Sequence, residues 1–393
     1  MKHLINNRVQ QIEMSGIRLF SEAVQQLSDG INFTIGQPDF PTPEHVKNAG
    51  KNAIDVNKTG YTENVGNPQL RQAACQFVKE KYGSSYSWED EIMVTNGATQ
   101  ALDTVLRTIL EEGSEVILAG PAFPGYQPLI EMCGAKAVFV DTTKNKFKMT
   151  ACLIEQQITE KTRCVLLSYP SNPVGSMLTK EELAEIAALL KEKDIFIVSD
   201  EIYSELIYEG KHCSIASFPE VRDQTVIING LSKSHSMTGW RIGLLFSPSF
   251  LLAEMKKVHL YNTTCACSIS QEAAIEALTN GLDDPIAMRN EYKKRRDYIY
   301  GRLVSMGFEV IKPQAAFYIF PSIKQFRMSS LEFTKLLLEK EHVAVVPGST
   351  FSPIGENYIR ISFASSIDVL EEGLNRMGNF VSALNQKVNV QKT

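Results

Sequence analysis

Residues able to do chemistry follow the ends of apolar segments along the chain. Gly97-Ala98-Thr99 follows EIMVTN (91–96), and Phe123 follows SEVILAG (114–120). Asn172 follows RCVLLSYP (163–170), Asp200 closes DIFIVSD (194–200) with Tyr203 behind it, and Lys233 follows TVIING (225–230). A lysine amine is a nucleophile and a base, and a carboxylate holds a proton or a cation. Asn172 and Tyr203 are donors to an oxygen, and Phe123 offers an aromatic plane. A turn of small residues opening a helix presents N–H groups to an anion. Each feature has an ordinary alternative: a turn that is only a turn, a helix-capping Asp200, a solvated lysine.

The combination supplies what a pyridoxal cofactor needs: a Schiff-base lysine, an acid for the ring nitrogen, donors to the ring oxygen, an aromatic plane and a phosphate cup. Asp200 is expected to keep the ring nitrogen protonated, and Asn172 and Tyr203 to bond the ring 3-oxygen. Lys233 is expected to bind the cofactor, yield to the incoming amine, and move the proton from Cα. Arg241 and the Gly97–Thr99 turn would neutralise the phosphate, and a lysine beside another cation has a lowered pKa.

The elements around these residues alternate. The strand-like segments, with KAVFVD (136–141) among them, are nearly continuously apolar, as expected of parallel strands covered on both faces. Helices lie between them. Residues 99–112 place Leu102, Val105, Leu106, Ile109 and Leu110 on one stripe. Residues 180–193 follow a capping box of Thr179 and Glu182 and bury Leu183, Ile186, Ala187 and Leu190. Such alternation predicts an α/β sheet with right-handed crossovers and a ligand at the carboxyl ends of its strands. RIGLLF (241–246) reads as a further, antiparallel neighbour.

From Asp284-Pro285, a cap followed by proline, a long helix is predicted to about Met306. The pattern then becomes α+β, with AFYIFP, a helix near 330–341, VAVVPG, YIRISFA and a closing helix near 366–384 that keeps Leu370, Leu374, Met377 and Val381 in register. The expected organisation is a large domain over 45–284 and a small α+β domain from 1–44 with 285–393. The small domain and the N-terminal segment are the expected lid over the site.

The 393 residues are 44% hydrophobic and 22% charged, a globular composition, and the net charge of −5 without a basic run argues against a nucleic-acid partner. No apolar run reaches the roughly 20 residues of a membrane helix, and the N-terminus lacks the apolar core of a secretory signal. A cytoplasmic protein is expected. Seven scattered cysteines read as buried reduced thiols, Cys265-x-Cys267 being a weak metal signal. Six histidines lack ligand spacing, so no metal site is expected.

NGLSKSHSMTGWRIG (229–243) resembles the cofactor-lysine signature of the class I, fold-type I, pyridoxal-phosphate aminotransferases. IGQPDF (35–40), YTENVGNPQLR (61–71), NGATQAL (96–102), PSNPVG (170–175), DEIY (200–203) and YIRISF (358–363) match that family in order over essentially the whole chain. The resemblance implies an aspartate-aminotransferase-like fold with a mostly parallel sheet sandwiched by helices, and pyridoxal 5′-phosphate as cofactor. It implies Lys233 as the Schiff-base lysine, Asp200 as the pyridine partner, Asn172 and Tyr203 as ring-oxygen donors, and Phe123 stacked on the ring. Ala98, Thr99 and Arg241 fall at phosphate positions, and Tyr61 at that of a tyrosine reaching the neighbouring subunit's phosphate, which implies a homodimer with shared sites. Arg360 resembles the arginine that grips the substrate α-carboxylate, and Gly36 lets the backbone approach it.

Departures narrow the match. Some members carry a phosphate-binding Ser or Thr where Gly230 stands, and Ser232 lies beside the lysine instead. Phe123 replaces the Trp or Tyr of many relatives. No counterpart of a second arginine for a side-chain carboxylate is visible, which counts against simple aspartate specificity. Residues 31–40, 229–243 and 316–326 are most similar to the family's branch acting on N-acetyl-L,L-diaminopimelate in lysine biosynthesis, which implies 2-oxoglutarate as acceptor.

Other readings stay open: an aspartate or aromatic aminotransferase, or a cystathionine β-lyase on the same fold. A regulator carrying a DNA-binding module would need a helix-turn-helix segment before IGQPDF, for which about three dozen non-basic residues are too few.

Overall fold

A computed structural model describes residues 1–14 and 16–390. Ser15 and residues 391–393, which fall in the expected small domain, lie outside the described residues. Strand β1 (Ile31–Asn32) precedes the main sheet, which is built from β2 (Ile92–Thr95), β3 (Glu115–Gly120), β4 (Lys136–Asp141), β5 (Thr162–Ser168), β6 (Phe196–Asp200), β7 (Thr225–Gly230) and β8 (Gly243–Phe246). Its order is β2-β8-β7-β6-β5-β3-β4. Strands β3 to β7 pair in parallel, and β8 runs antiparallel to both β7 and β2. EIMVTN therefore does not sit between parallel neighbours: it is an edge strand, and its one partner is antiparallel.

Alternate residues of the strands feed two cores, because successive strand side chains point to opposite faces. Ile117, Val165, Ile197, Ile227 and Leu244 pack with Leu183, Ile186, Ala187 and Leu190 of helix Lys180–Leu190, whose capping box is present. Val116, Leu166, Val198, Val226 and Leu245 pack with Leu102, Val105, Leu106 and Ile109 of helix Ala98–Ile109. Two covered faces explain why these strands read as unbroken apolar runs.

The second half adds β9 (Tyr318–Ile319), β10 (Val343–Ala344), β11 (Val346–Pro347) and β12 (Ile359–Ser362). The order β11-β12-β9 forms an antiparallel sheet, while β10 pairs in parallel with β1. Ile31 and Phe33 share a core with Ile299, Leu303, Ile361 and with Leu370, Leu374, Met377 and Val381 of helix Ile367–Val390. That helix runs past the expected end near 384.

Two further expectations are corrected. Asp284 precedes helix Pro285–Ser305 but makes no side-chain cap. Its Oδ2 is 2.8 Å from His45 Nε2 instead, so the carboxylate is taken by a neighbouring histidine. The cysteines are all free, but only Cys164 is buried, and Cys152 and Cys267 are exposed. Among the described residues no helix is long and apolar enough to cross a membrane, and no group of three or more His, Cys, Asp or Glu is arranged to hold a metal.

Candidate active site

The parallel order of β5, β6 and β7 carries Asn172, Asp200 and Lys233 to one edge of the sheet. Lys233 lies in the short helix Leu231–Ser234, directly after β7. Because β8 enters the sheet in the opposite direction, Arg241 just before it meets Gly97 just after β2. Gly243 pairs with both Thr95 and Gly230. A Cβ at Gly243 would come within 2.5 Å of Thr95 Oγ1 and the Gly97 carbonyl carbon, so glycine permits this close approach. Gly97 adopts φ +79° and opens helix Ala98–Ile109 without a capping side chain, and a Cβ there would collide with the Arg241 guanidinium. Arg241 Nη1 donates to Thr238 O (2.8 Å), and among the described residues no carboxylate pairs with it. An uncapped helix start beside an unpaired guanidinium is an anion site.

Asp200 is only 6% exposed. Its Oδ2 accepts a 2.8 Å hydrogen bond from the Tyr126 hydroxyl, and its Oδ1 accepts from the Ile202 N–H at 3.2 Å. Ser168 Oγ is 2.8 Å from the same phenol. With the single phenolic proton directed at the carboxylate, Ser168 is the donor to Tyr126. Burial raises the Asp200 pKa, opposed by the Tyr126 and Ile202 bonds. A carboxylate in this setting gains from a cationic partner.

Lys233 Nζ donates to Gly36 O at 2.6 Å and lies 5.9 Å from the ring centres of both Tyr203 and Phe317. Burial, then Arg241 and Arg360, lower its pKa to about 8, against the pull of Asp200. The Tyr203 hydroxyl meets that of Tyr318 at 2.9 Å, and burial holds both phenols above their ordinary pKa. Tyr318 also stands over Gly36, where a Cβ would be 2.7 Å from its hydroxyl.

Arg360, on β12, is 1% exposed. Its guanidinium lies 4.5 Å over the Tyr318 ring, Nη1 donates to Asn172 Oδ1 (3.2 Å) and Nη2 to Thr34 O (2.5 Å). Nε has no partner, and among the described residues no carboxylate pairs with the group. Burial lowers its pKa. A buried cation with only neutral partners is costly unless an anion joins it.

Most of the residues singled out in the sequence thus converge. Ser232 is buried beside Lys233. Phe123 and Ala98 are half-buried, Thr99 is exposed, and Phe123 packs edge-on to Tyr126 with ring centres 5.3 Å apart. Tyr61 is the exception: it is 88% exposed, and among the described residues no hydrogen bond joins it to the cluster. The sequence reading missed Tyr126, Ser168, Tyr318 and Thr34. For Tyr126 a signal existed, a phenol three residues after Phe123 at the start of helix Tyr126–Met132.

The sequence profile described as aminotransferase class I and II matches residues 28–377. The chain belongs to the class I and II aminotransferases. It is 58% identical over 381 residues, 97% of this chain and 96% of the relative, to a probable N-acetyl-LL-diaminopimelate aminotransferase of Bacillus subtilis (strain 168). It is 40% identical over 377 residues, 95% of this chain and 97% of the relative, to an aspartate aminotransferase of Pyrococcus abyssi. A solved structure of Thermus thermophilus aspartate aminotransferase with maleate is similar at a TM-score of 0.91 and 34% identity, covering 95% of this chain and 99% of that one. The fold is accordingly aspartate-aminotransferase-like, and this aminotransferase uses pyridoxal 5′-phosphate to move an amino group between an amino acid and a 2-oxo acid. The residues present fit that cofactor: an anion cup at Gly97 and Arg241, a buried carboxylate for its ring nitrogen, and an amine of lowered pKa.

Proposed function

We propose that this aminotransferase exchanges the amino group between N-acetyl-L,L-diaminopimelate and 2-oxoglutarate in lysine biosynthesis, leaving glutamate and the acetylated oxo acid. The 58% identity over 97% of the chain to a probable N-acetyl-LL-diaminopimelate aminotransferase carries this reading. Both substrates present a carboxylate beside the reacting carbon, which suits a buried, unpaired Arg360.

When bound, the cofactor supplies a carbonyl for the amine and a ring that takes up the electron pair released at Cα. Asp200 holds the proton on the ring nitrogen, with Tyr126 fixing the carboxylate. Asn172 and Tyr203 would donate to the ring oxygen, Phe123 would offer the ring an aromatic surface, and Gly97, Ala98, Thr99, Ser232 and Arg241 would hold the phosphate. Lys233 would anchor the cofactor, and its amine of lowered pKa would serve as the base for the Cα proton. Arg360, with Asn172 and the Gly36 backbone, orients the α-carboxylate so that this proton faces the lysine.

Residues 45–284 form the cofactor-bearing domain of this reading, and 1–44 with 285–393 a smaller one that closes over substrate. The enzyme works in the cytoplasm as a homodimer in which the exposed Tyr61 reaches the partner's phosphate. The test is a half-reaction: the yellow enzyme is mixed with single amino donors and its visible absorbance followed. Rapid bleaching by glutamate and N-acetyl-L,L-diaminopimelate, and little by aspartate or phenylalanine, is expected. Bleaching by aspartate or aromatic donors alone would replace this substrate assignment, and pyruvate release from cystathionine without bleaching would make the enzyme a lyase.

A further inference from the structure

Helix Pro285–Ser305 carries Arg289 and Lys293 one turn apart, on a shared face. Lys81, near the end of helix Pro68–Tyr82, and Lys211, in a turn where Gly210 takes φ +81°, stand opposite. These four cations line one cavity of about 400 Å³. Like charges at this helical spacing destabilise a helix, and the chain as a whole is acidic at −5, so composition alone does not account for the cluster.

The ion pairs of the same helix sharpen the contrast. Arg295 is held by Asp39 and Glu291, and Arg296 by Glu209 and Asp297. Arg289 is half-buried, yet among the described residues neither it nor Lys293 or Lys211 has a carboxylate within ion-pair distance. The one carboxylate in the cavity wall, Glu205, accepts a 2.6 Å hydrogen bond from the Tyr82 hydroxyl and lies 3.9 Å from Lys81. Lys81 has a second distant partner, Asp283 at 3.8 Å. Four cations therefore face one internal carboxylate.

We propose that this cavity binds a small polyvalent phosphate-type anion. The arginine fork matches an oxyanion's geometry, the lysines add charge from two further elements, and the volume falls in the range of small-ligand sites. The cavity is separate from the Lys233 site, but its floor includes Ser204, which follows Tyr203 and is within hydrogen-bond reach of Tyr82 (2.8 Å) and Asn229 (3.1 Å).

Calorimetric titration of the cofactor-loaded enzyme with pyrophosphate, at fixed ionic strength, tests this. Loading keeps the phosphate cup at Gly97 and Arg241 filled. Saturable binding of one pyrophosphate per chain is expected, weakened about 10-fold or more in Arg289→Ala/Lys293→Ala by loss of two charge-assisted contacts. A control, Lys257→Ala/Lys335→Ala, should bind as the wild type does, and the visible absorbance of each variant shows that it has folded. Absence of pyrophosphate binding to the wild type, or equal binding by the Arg289→Ala/Lys293→Ala variant, overturns the proposal.

Discussion

Tyr126 and Asp200 are 74 residues apart in the chain, and the phenol donates a 2.8 Å hydrogen bond to the buried carboxylate. The bond favours the ionised carboxylate that burial disfavours, and it fixes which way the oxygens face. Tyr126→Phe should therefore raise the Asp200 pKa and weaken its hold on the ring-nitrogen proton. We expect kcat to fall about 10-fold, the scale of one hydrogen bond to a charged group, with KM for the amino donor little changed. Steady-state kinetics with the visible spectrum check this; a raised KM at unchanged kcat would place Tyr126 in substrate binding instead.

Arg360→Ala removes a buried cation and leaves Asn172 Oδ1 and Thr34 O without their donor. KM for amino donors should rise about 100-fold, as expected for two lost charge-assisted bonds, while the cofactor absorbance persists. Loss of that absorbance would show that Arg360 serves the cofactor.

Lys233 is still mostly cationic at neutral pH, but burial and the charges of Arg241 and Arg360 bring its pKa down to about 8. Only the neutral amine attacks a carbonyl. The rate at which the apoenzyme regains its colour with added pyridoxal 5′-phosphate should climb with pH up to about 8 and then level off. An ordinary lysine would keep climbing toward ~10.4. Stopped-flow absorbance across that range distinguishes the two.

His45 lies between Glu276 and Asp284, 2.8 Å from each. Burial disfavours its cation, but the two carboxylates outweigh this and raise its pKa. A raised folded pKa means that protonation stabilises the fold. That stabilisation is complete below the unfolded value of ~6.5 and is lost as pH rises through the folded one. His45→Gln should lower the melting temperature at pH 6 and hardly at pH 9, with a loss of about 1 kcal/mol or less for a half-exposed pair. Equal losses at both values would mean that the histidine acts by packing.

The sheet was legible because strands with two covered faces must be apolar throughout: TVIING (225–230) matches β7 residue for residue and is buried along its length, while KAVFVD (136–141) matches the bounds of β4 although that edge strand is only partly covered. Asp200 and Lys233 were legible because strand ends in such a sheet meet at one edge. The groups that tune them were not. Thr34 meets Arg360 across 326 positions and Tyr318 meets Tyr203 across 115, and both contacts bring in the second half of the chain, whose short strands leave little periodicity to read. Arg360 itself was visible through family resemblance, since a lone arginine in YIRISF carries no spacing signal. Asp284 misled because capping residues and salt-bridge acids look alike in sequence, and only packing against His45 separates them.

The role of Lys233 is tested by reducing the yellow enzyme with borohydride, digesting it and locating the fixed pyridoxyl group by mass spectrometry. The label is expected on the peptide bearing Lys233, with no covalent label or amino transfer in Lys233→Ala. A label on any other lysine of the wild type would contradict it.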